Sequence, residues 1–102
     1  MSTFKIIEMD VIRWGEDRGI IQNSTPLAQF EKTIEEVAEL NAALQANDKA
    51  GIIDGIGDVL VTLTMICGIL DIDMTQCYQA AYNEIKERKG FLNKDGQFVK
   101  EL

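Results

Sequence analysis

An all-α protein is the fold class this sequence predicts: four helices bundled around one core, followed by a short C-terminal tail or hairpin. Three observations predict it. Apolar residues recur at helical spacing over four stretches of the chain. Residues suited to capping stand at the start of three of them: Ser2 or Thr3, Thr25 and Asp73. The remaining stretch, from about Gly51 to Leu70, is apolar around most of its circumference, as a helix in the middle of a bundle must be.

The first predicted helix covers residues 3–14, with Phe4, Ile7, Val11 and Ile12 at helical spacing. Gly15 and Gly19 are expected to end it, leaving residues 15–25 as a polar loop. Thr25-Pro26 opens the second helix, a capping hydroxyl followed by proline at the first helical position. Its apolar stripe is Leu27, Phe30, Ile34, Val37, Leu40 and Leu44. Glu31, Glu35 and Glu39 lie on the far side and Glu36 towards the edge of the stripe. The helix fades near Asn47-Asp48.

The third helix carries one polar strip, Asp54, Asp58 and Thr62, spaced four apart and so stacked on one face. Gly51 and Gly55 lie close to that strip, where small residues admit another backbone or a ligand. The fourth helix begins after Asp73 and runs to about Arg88, with Tyr78, Ala81 and Ile85 on one face and Gly90 closing it. In the tail, Asp95-Gly96 between short apolar runs suggests a hairpin turn.

The chain has 102 residues, which suggests a single domain, and 46 % of them are apolar, which fits a globular protein. Net charge is −7 and the pI about 4.4, so there is no basic footprint for nucleic acid. Cys67 and Cys77 form no CxxC pair and there is no histidine, which argues against zinc. Both cysteines are expected as buried free thiols. The start of the chain does not read as a signal segment, and the run Val59–Leu70 is short for a membrane span. A soluble, reduced, cytoplasmic protein without a membrane partner is expected.

Two acidic strips carry the chemistry. Glu31–Glu35 and Glu35–Glu39 are like-charge pairs one turn apart, each disfavouring the helix by about 0.2–0.5 kcal/mol. Asp54 and Asp58 are set in the most apolar helix, with no Lys or Arg between Lys49 and Lys86. A buried carboxylate must be protonated, paired or bound to metal. Two like charges about 4 Å apart repel by about 4 kcal/mol at an effective dielectric of about 20, and a divalent ion between them reverses the sign. An all-oxygen ligand set suits magnesium or manganese, and so many carboxylates suggest two or more ions once substrate is bound.

Glu35-Glu36-x-x-Glu39 followed by Ile56-Gly57-Asp58-Val59-Leu60 resembles the MazG-like family of all-alpha nucleotide pyrophosphohydrolases, the compact phage type in particular. The resemblance runs from Trp14 to the tail. It implies a four-helix fold working as a homodimer or homotetramer. The reaction it implies is magnesium-dependent hydrolysis of a nucleoside triphosphate to monophosphate and pyrophosphate. It also implies that Glu36 and Glu39, with Glu35 as an extra acid, supply an ExxE set, and that Asp58 is the last residue of an ExxD set. Gly55 stands where that set has its first glutamate, and Asp54 either substitutes or hydrogen-bonds a true ligand.

The stretch Tyr82–Gly90 resembles the family's fourth-helix motif, which places Asn83, Lys86 and Arg88 near the phosphates; Lys86 and Arg88 also suit a helix C-terminus electrostatically. Gln29 and Lys32 precede the acidic motif and can reach substrate. Trp14 and Asn23 are candidates for the base, by stacking and edge recognition, although Trp14 serves equally as a core or interface anchor. Glu35 is the expected general base. The substrate leaning, a purine deoxynucleotide such as dGTP, comes from the resemblance alone. The rival from another class is a non-enzymatic acidic interaction module or DNA-mimicking inhibitor, which explains the charge but not Asp54 and Asp58.

Overall fold

A computed structural model describes residues 1–102. It contains five helices, four of them long, and a C-terminal two-stranded hairpin: α1 Thr3–Asp17, α2 Ile20–Asn23, α3 Pro26–Gln45, α4 Lys49–Leu70, α5 Met74–Ile85, β1 Gly90–Leu92 and β2 Phe98–Lys100. The all-α expectation holds, with the tail folded as a hairpin.

Side-chain caps explain where all four long helices begin. The Ser2 hydroxyl accepts the Lys5 N–H at 3.1 Å and the Thr25 hydroxyl accepts that of Ala28 at 3.1 Å. Asp48 accepts the Gly51 N–H at 3.1 Å, so α4 starts at Lys49, two residues before the expected point. Asp73 caps α5 by accepting the Gln76 N–H at 3.3 Å.

The expected 15–25 loop is largely helical. Gly15 does not end α1: it is buried, and a Cβ there would come within 2.5 Å of the Met65 sulfur. It is a packing glycine that lets α1 approach α4. The break falls at Gly19, whose φ of +76° starts the short α2. At the other end, α5 stops at Ile85 rather than Arg88, and Gly90 opens β1.

The main packing in the chain is between α3 and α4, and it uses the flank of the expected α3 stripe rather than its centre. The face turned to α4 is Thr33, Glu36, Leu40 and Ala43, at alternating steps of three and four. A Cβ on Gly55 would lie 3.1 Å from that of Leu40, and one on Gly51 3.1 Å from Ala43, so small residues set this close approach. Most of the apolar stripe, including Phe30, Ile34 and Val37, points outward and is exposed. On α4, Ile53, Ile56 and Leu60 are also exposed.

The buried apolar side chains are only Ala43, Met65 and Met74. The accessible surface is 7738 Å², against about 5,800 Å² for a compact monomer of this mass. By length and composition alone, the 22-residue α4 suffices to cross a membrane, contrary to the reading from Val59–Leu70. It packs instead against α1, α2, α3 and α5.

Cys67 and Cys77 are free, as expected, but they are not both core. Cys67 is half-buried, and Cys77 on α5 is exposed. Burial, together with the neighbouring Cys77 thiol, raises Cys67 to about 11.

Candidate active site

Two clefts meet at Asp58, both on the α3–α4 seam. The first, about 500 Å³, is lined by Trp14 from α1, Gln29, Lys32, Glu35 and Glu36 from α3, and Asp58 and Thr62 from α4. The second, about 410 Å³, is lined by Glu39 on α3 and by Asp48, Asp54, Gly55 and Asp58. All five predicted metal-binding acids therefore border one continuous seam.

Their burial differs sharply. Glu36 is 8 % exposed and its Oε2 has no hydrogen-bond partner. Its Oε1 lies 3.6 Å from the Lys32 ammonium, which also sits 3.7 Å from Glu35. Glu35, Glu39 and Asp54 are exposed and Asp58 is half-buried. Burial, then the charge of Asp54, then the charge of Glu36 raise the Asp58 carboxyl above its ordinary value. Glu36 and Asp58 thus crowd each other across the seam.

An unpaired buried carboxylate oxygen facing a carboxylate held above its usual range is unfavourable without a cation. No three acidic side chains close into a ready-made metal cage. Magnesium does not require one, since it commonly takes one or two carboxylates and fills its octahedron with waters and substrate phosphates. The donors on the seam fit that habit, with Glu36 and Asp58 nearest the centre.

Position 55 explains the departure from the ExxD pattern. It faces Leu40, whose Cα would lie 3.2 Å from an added Cβ, so a longer side chain would pry α3 from α4. Asp54 reaches the neighbouring cleft from the exposed side.

Not every predicted substrate residue is brought here. Trp14, Gln29 and Lys32 line the first cleft, with the Arg18 guanidinium 5.8 Å from the Trp14 ring centroid. Asn23 turns away and donates to the Gly19 carbonyl at 2.9 Å, a local capping contact. Asn83, Lys86 and Arg88 lie on or after α5, which packs on α1 and α4 but not α3. Within one chain they border neither cleft; the Asn83 carbonyl accepts from Gln79 at 3.1 Å.

Two features escaped the sequence reading. The Thr33 hydroxyl meets that of Thr62 at 2.8 Å inside the seam, beside Glu36. The spacing Gln29–Thr33–Glu36 was the available signal: a polar stripe at helical period, parallel to the apolar one. The other is Glu8, 5 % exposed, which accepts from the backbone N–H of Met74 at 2.8 Å and of Thr75 at 3.1 Å and from the Thr75 hydroxyl at 2.6 Å. It fastens α1 to the start of α5 and lies outside both acidic clefts.

Comparison with known proteins gives the chain its family. The family described as MazG nucleotide pyrophosphohydrolase domain matches residues 24–91, which span α3, α4 and α5. The chain is also 33 % identical over 73 residues to an uncharacterized 18.2 kDa protein in the rep-hol intergenic region of Haemophilus phage HP1. That alignment covers 72 % of this chain and 45 % of the phage protein, so the chain spans about half the length of the relative. No solved structure matches.

Proposed function

The chain belongs to the MazG nucleotide pyrophosphohydrolase family, and from that premise we propose that it hydrolyses nucleoside triphosphates to monophosphate and pyrophosphate with magnesium or manganese. The observation that carries this reading is the orphaned Glu36 Oε2 on the seam it shares with Asp58. Glu36 and Asp58 would hold the metal, with Glu39 and Asp54 available from the adjoining cleft for a second ion. When bound, the metal would polarise the α-phosphate and lower the pKa of a coordinated water.

The chain's own residues do the rest. Glu35, at the lip of the first cleft, takes the proton from the attacking water. The water oxygen bonds to the α-phosphorus, the bond to the α–β bridging oxygen breaks, and pyrophosphate leaves. Lys32 swings from Glu35 and Glu36 to the phosphates, and Trp14 offers its ring to the base. The preferred substrate is a purine deoxynucleotide such as dGTP, in the cytoplasm of a host cell.

The unit is a homodimer or homotetramer. The exposed surface exceeds that of a compact monomer by about 2,000 Å², with much of the outward stripe of α3 apolar, so a second copy covering it satisfies both. Such a copy also provides the route by which Asn83, Lys86 and Arg88 reach a pocket that their own chain does not bring them to.

The test is incubation with each of the eight canonical ribo- and deoxynucleoside triphosphates and magnesium, with products read by phosphorus NMR. Monophosphate and pyrophosphate are expected. Orthophosphate as the first product would assign a different bond, and no turnover with any nucleotide would favour the acidic interaction module.

A further inference from the structure

The C-terminal hairpin has no partner in its own chain. Phe91 pairs with Val99 and Leu92 with Phe98 across the two strands, so both faces carry apolar pairs. Leu92 is 69 % exposed, and Phe91, Phe98 and Val99 are exposed too. Neither strand packs against a helix. An isolated two-stranded hairpin is marginal in water at best.

Its local design is nonetheless specific. The Asn93 side chain accepts the N–H groups of Asp95 and Gln97 at 3.0 and 2.9 Å, Gly96 supplies a φ of +80°, and the Phe98 ring covers Gly90. The radius of gyration, 15.9 Å against about 13 Å for a compact domain of this length, agrees with a projecting arm.

Charge identifies what the arm fits. Residues 86–102 hold five of the ten basic residues and three of the seventeen acids, a net +2, leaving −9 on residues 1–85. The body offers a matching seat, a groove of about 470 Å³ between α1 and α4. Phe4, Ile7, Val11, Ile53, Leu60 and Val61 line it, and Asp54 and Asp58 stand on its rim. Ile53 is 64 % exposed there. The hairpin is apolar with lysines at its base and tip, and the groove is apolar with acids at its edge.

We propose that the hairpin is an exchange arm: residues 89–100 of one copy dock in the α1–α4 groove of a second copy, with an apolar pair in the groove and the lysines towards Asp54 and Asp58. The proposal rests on the oligomeric reading above and adds the element that makes the contact. Because Asp58 also borders the carboxylate clefts, the docked arm places partner lysines beside the site where pyrophosphate would leave.

The test uses the full chain in two forms, one labelled throughout with heavy nitrogen and one unlabelled with a photoreactive phenylalanine analogue at position 91. After mixing and irradiation, cross-linked peptides from labelled α1 and α4 are expected. Cross-links confined to the unlabelled chain, or none to labelled peptides, would overturn the arm.

A second variant, Lys94→Glu with Lys100→Glu, should weaken assembly in sedimentation by about tenfold or more while helical circular dichroism stays unchanged. Unaltered assembly would also overturn it. Neither readout involves nucleotide, so a chain that exchanges arms but hydrolyses nothing refutes only the enzymatic reading. One that hydrolyses with its arm undocked refutes only the exchange.

Discussion

Glu8 and Glu36 are both buried carboxylates, and their surroundings have opposite character. Around Glu8 burial opposes ionisation, but hydrogen bonds from Thr75 and the backbone N–H groups of Met74 and Thr75, with the Lys5 charge, outweigh it and lower the carboxyl pKa. The carboxylate sits at the N-terminus of α5, where the helix dipole also favours negative charge. Around Glu36 one oxygen has no partner, the one nearby cation is shared with Glu35, and the neighbour across the seam is another acid. The first arrangement is complete without a ligand. The second has a single shared cation among several acids and one carboxylate oxygen left over. Burial alone therefore does not single out a candidate functional carboxylate; incomplete satisfaction within a cleft does.

Substitutions at the two places should separate most sharply in activity. Glu36→Gln should lower kcat/KM for nucleotide hydrolysis more than about 100-fold, beyond what losing an outer partner of a metal ligand costs. Its melting temperature should not fall. Glu8→Ala should do the reverse: a loss of about 2 kcal/mol, lowering Tm by about 10 °C, with metal affinity of the folded protein retained. Equal effects in both assays would erase the distinction.

Asp58→Asn sharpens the comparison further. Because the fold raises the Asp58 carboxyl above its ordinary value, holding it ionised costs the folded state some stability. Removing the charge should raise Tm in metal-free buffer while abolishing activity. Differential scanning calorimetry in chelator reads the sign.

The smallest effect is in acid. Glu8 has a lowered pKa when folded, so its stabilisation is present above its unfolded value near 4.5 and is lost as pH falls through the lower folded value. Urea titrations below pH 5 should show a shallower decline for Glu8→Gln than for the unchanged chain.

Much of this was legible in the residues. Thr25-Pro26 and Asp73 announced their helices, Asp95-Gly96 announced the hairpin, and the acids of the seam could be named from their spacing together with the family resemblance. What was not legible depended on distant partners. Whether Gly15 ends a helix or admits a neighbour is decided by Met65, fifty residues away. The periodicity of Phe30, Ile34 and Val37 requires a partner surface but does not say that α4 takes the adjoining face, through Thr33, Glu36 and Ala43. Glu8 looked like an ordinary surface acid because the N–H groups that hold it belong to residues 74 and 75. Lys86 and Arg88, expected near the phosphates, border neither cleft within their own chain.

The most direct measurement is manganese binding, followed by electron paramagnetic resonance, in the unchanged chain and in the Glu36→Gln and Glu8→Gln variants. The unchanged chain and Glu8→Gln should bind alike, and Glu36→Gln should lose most of its affinity. Equal binding by all three, or loss in Glu8→Gln alone, would contradict a metal site at the α3–α4 seam.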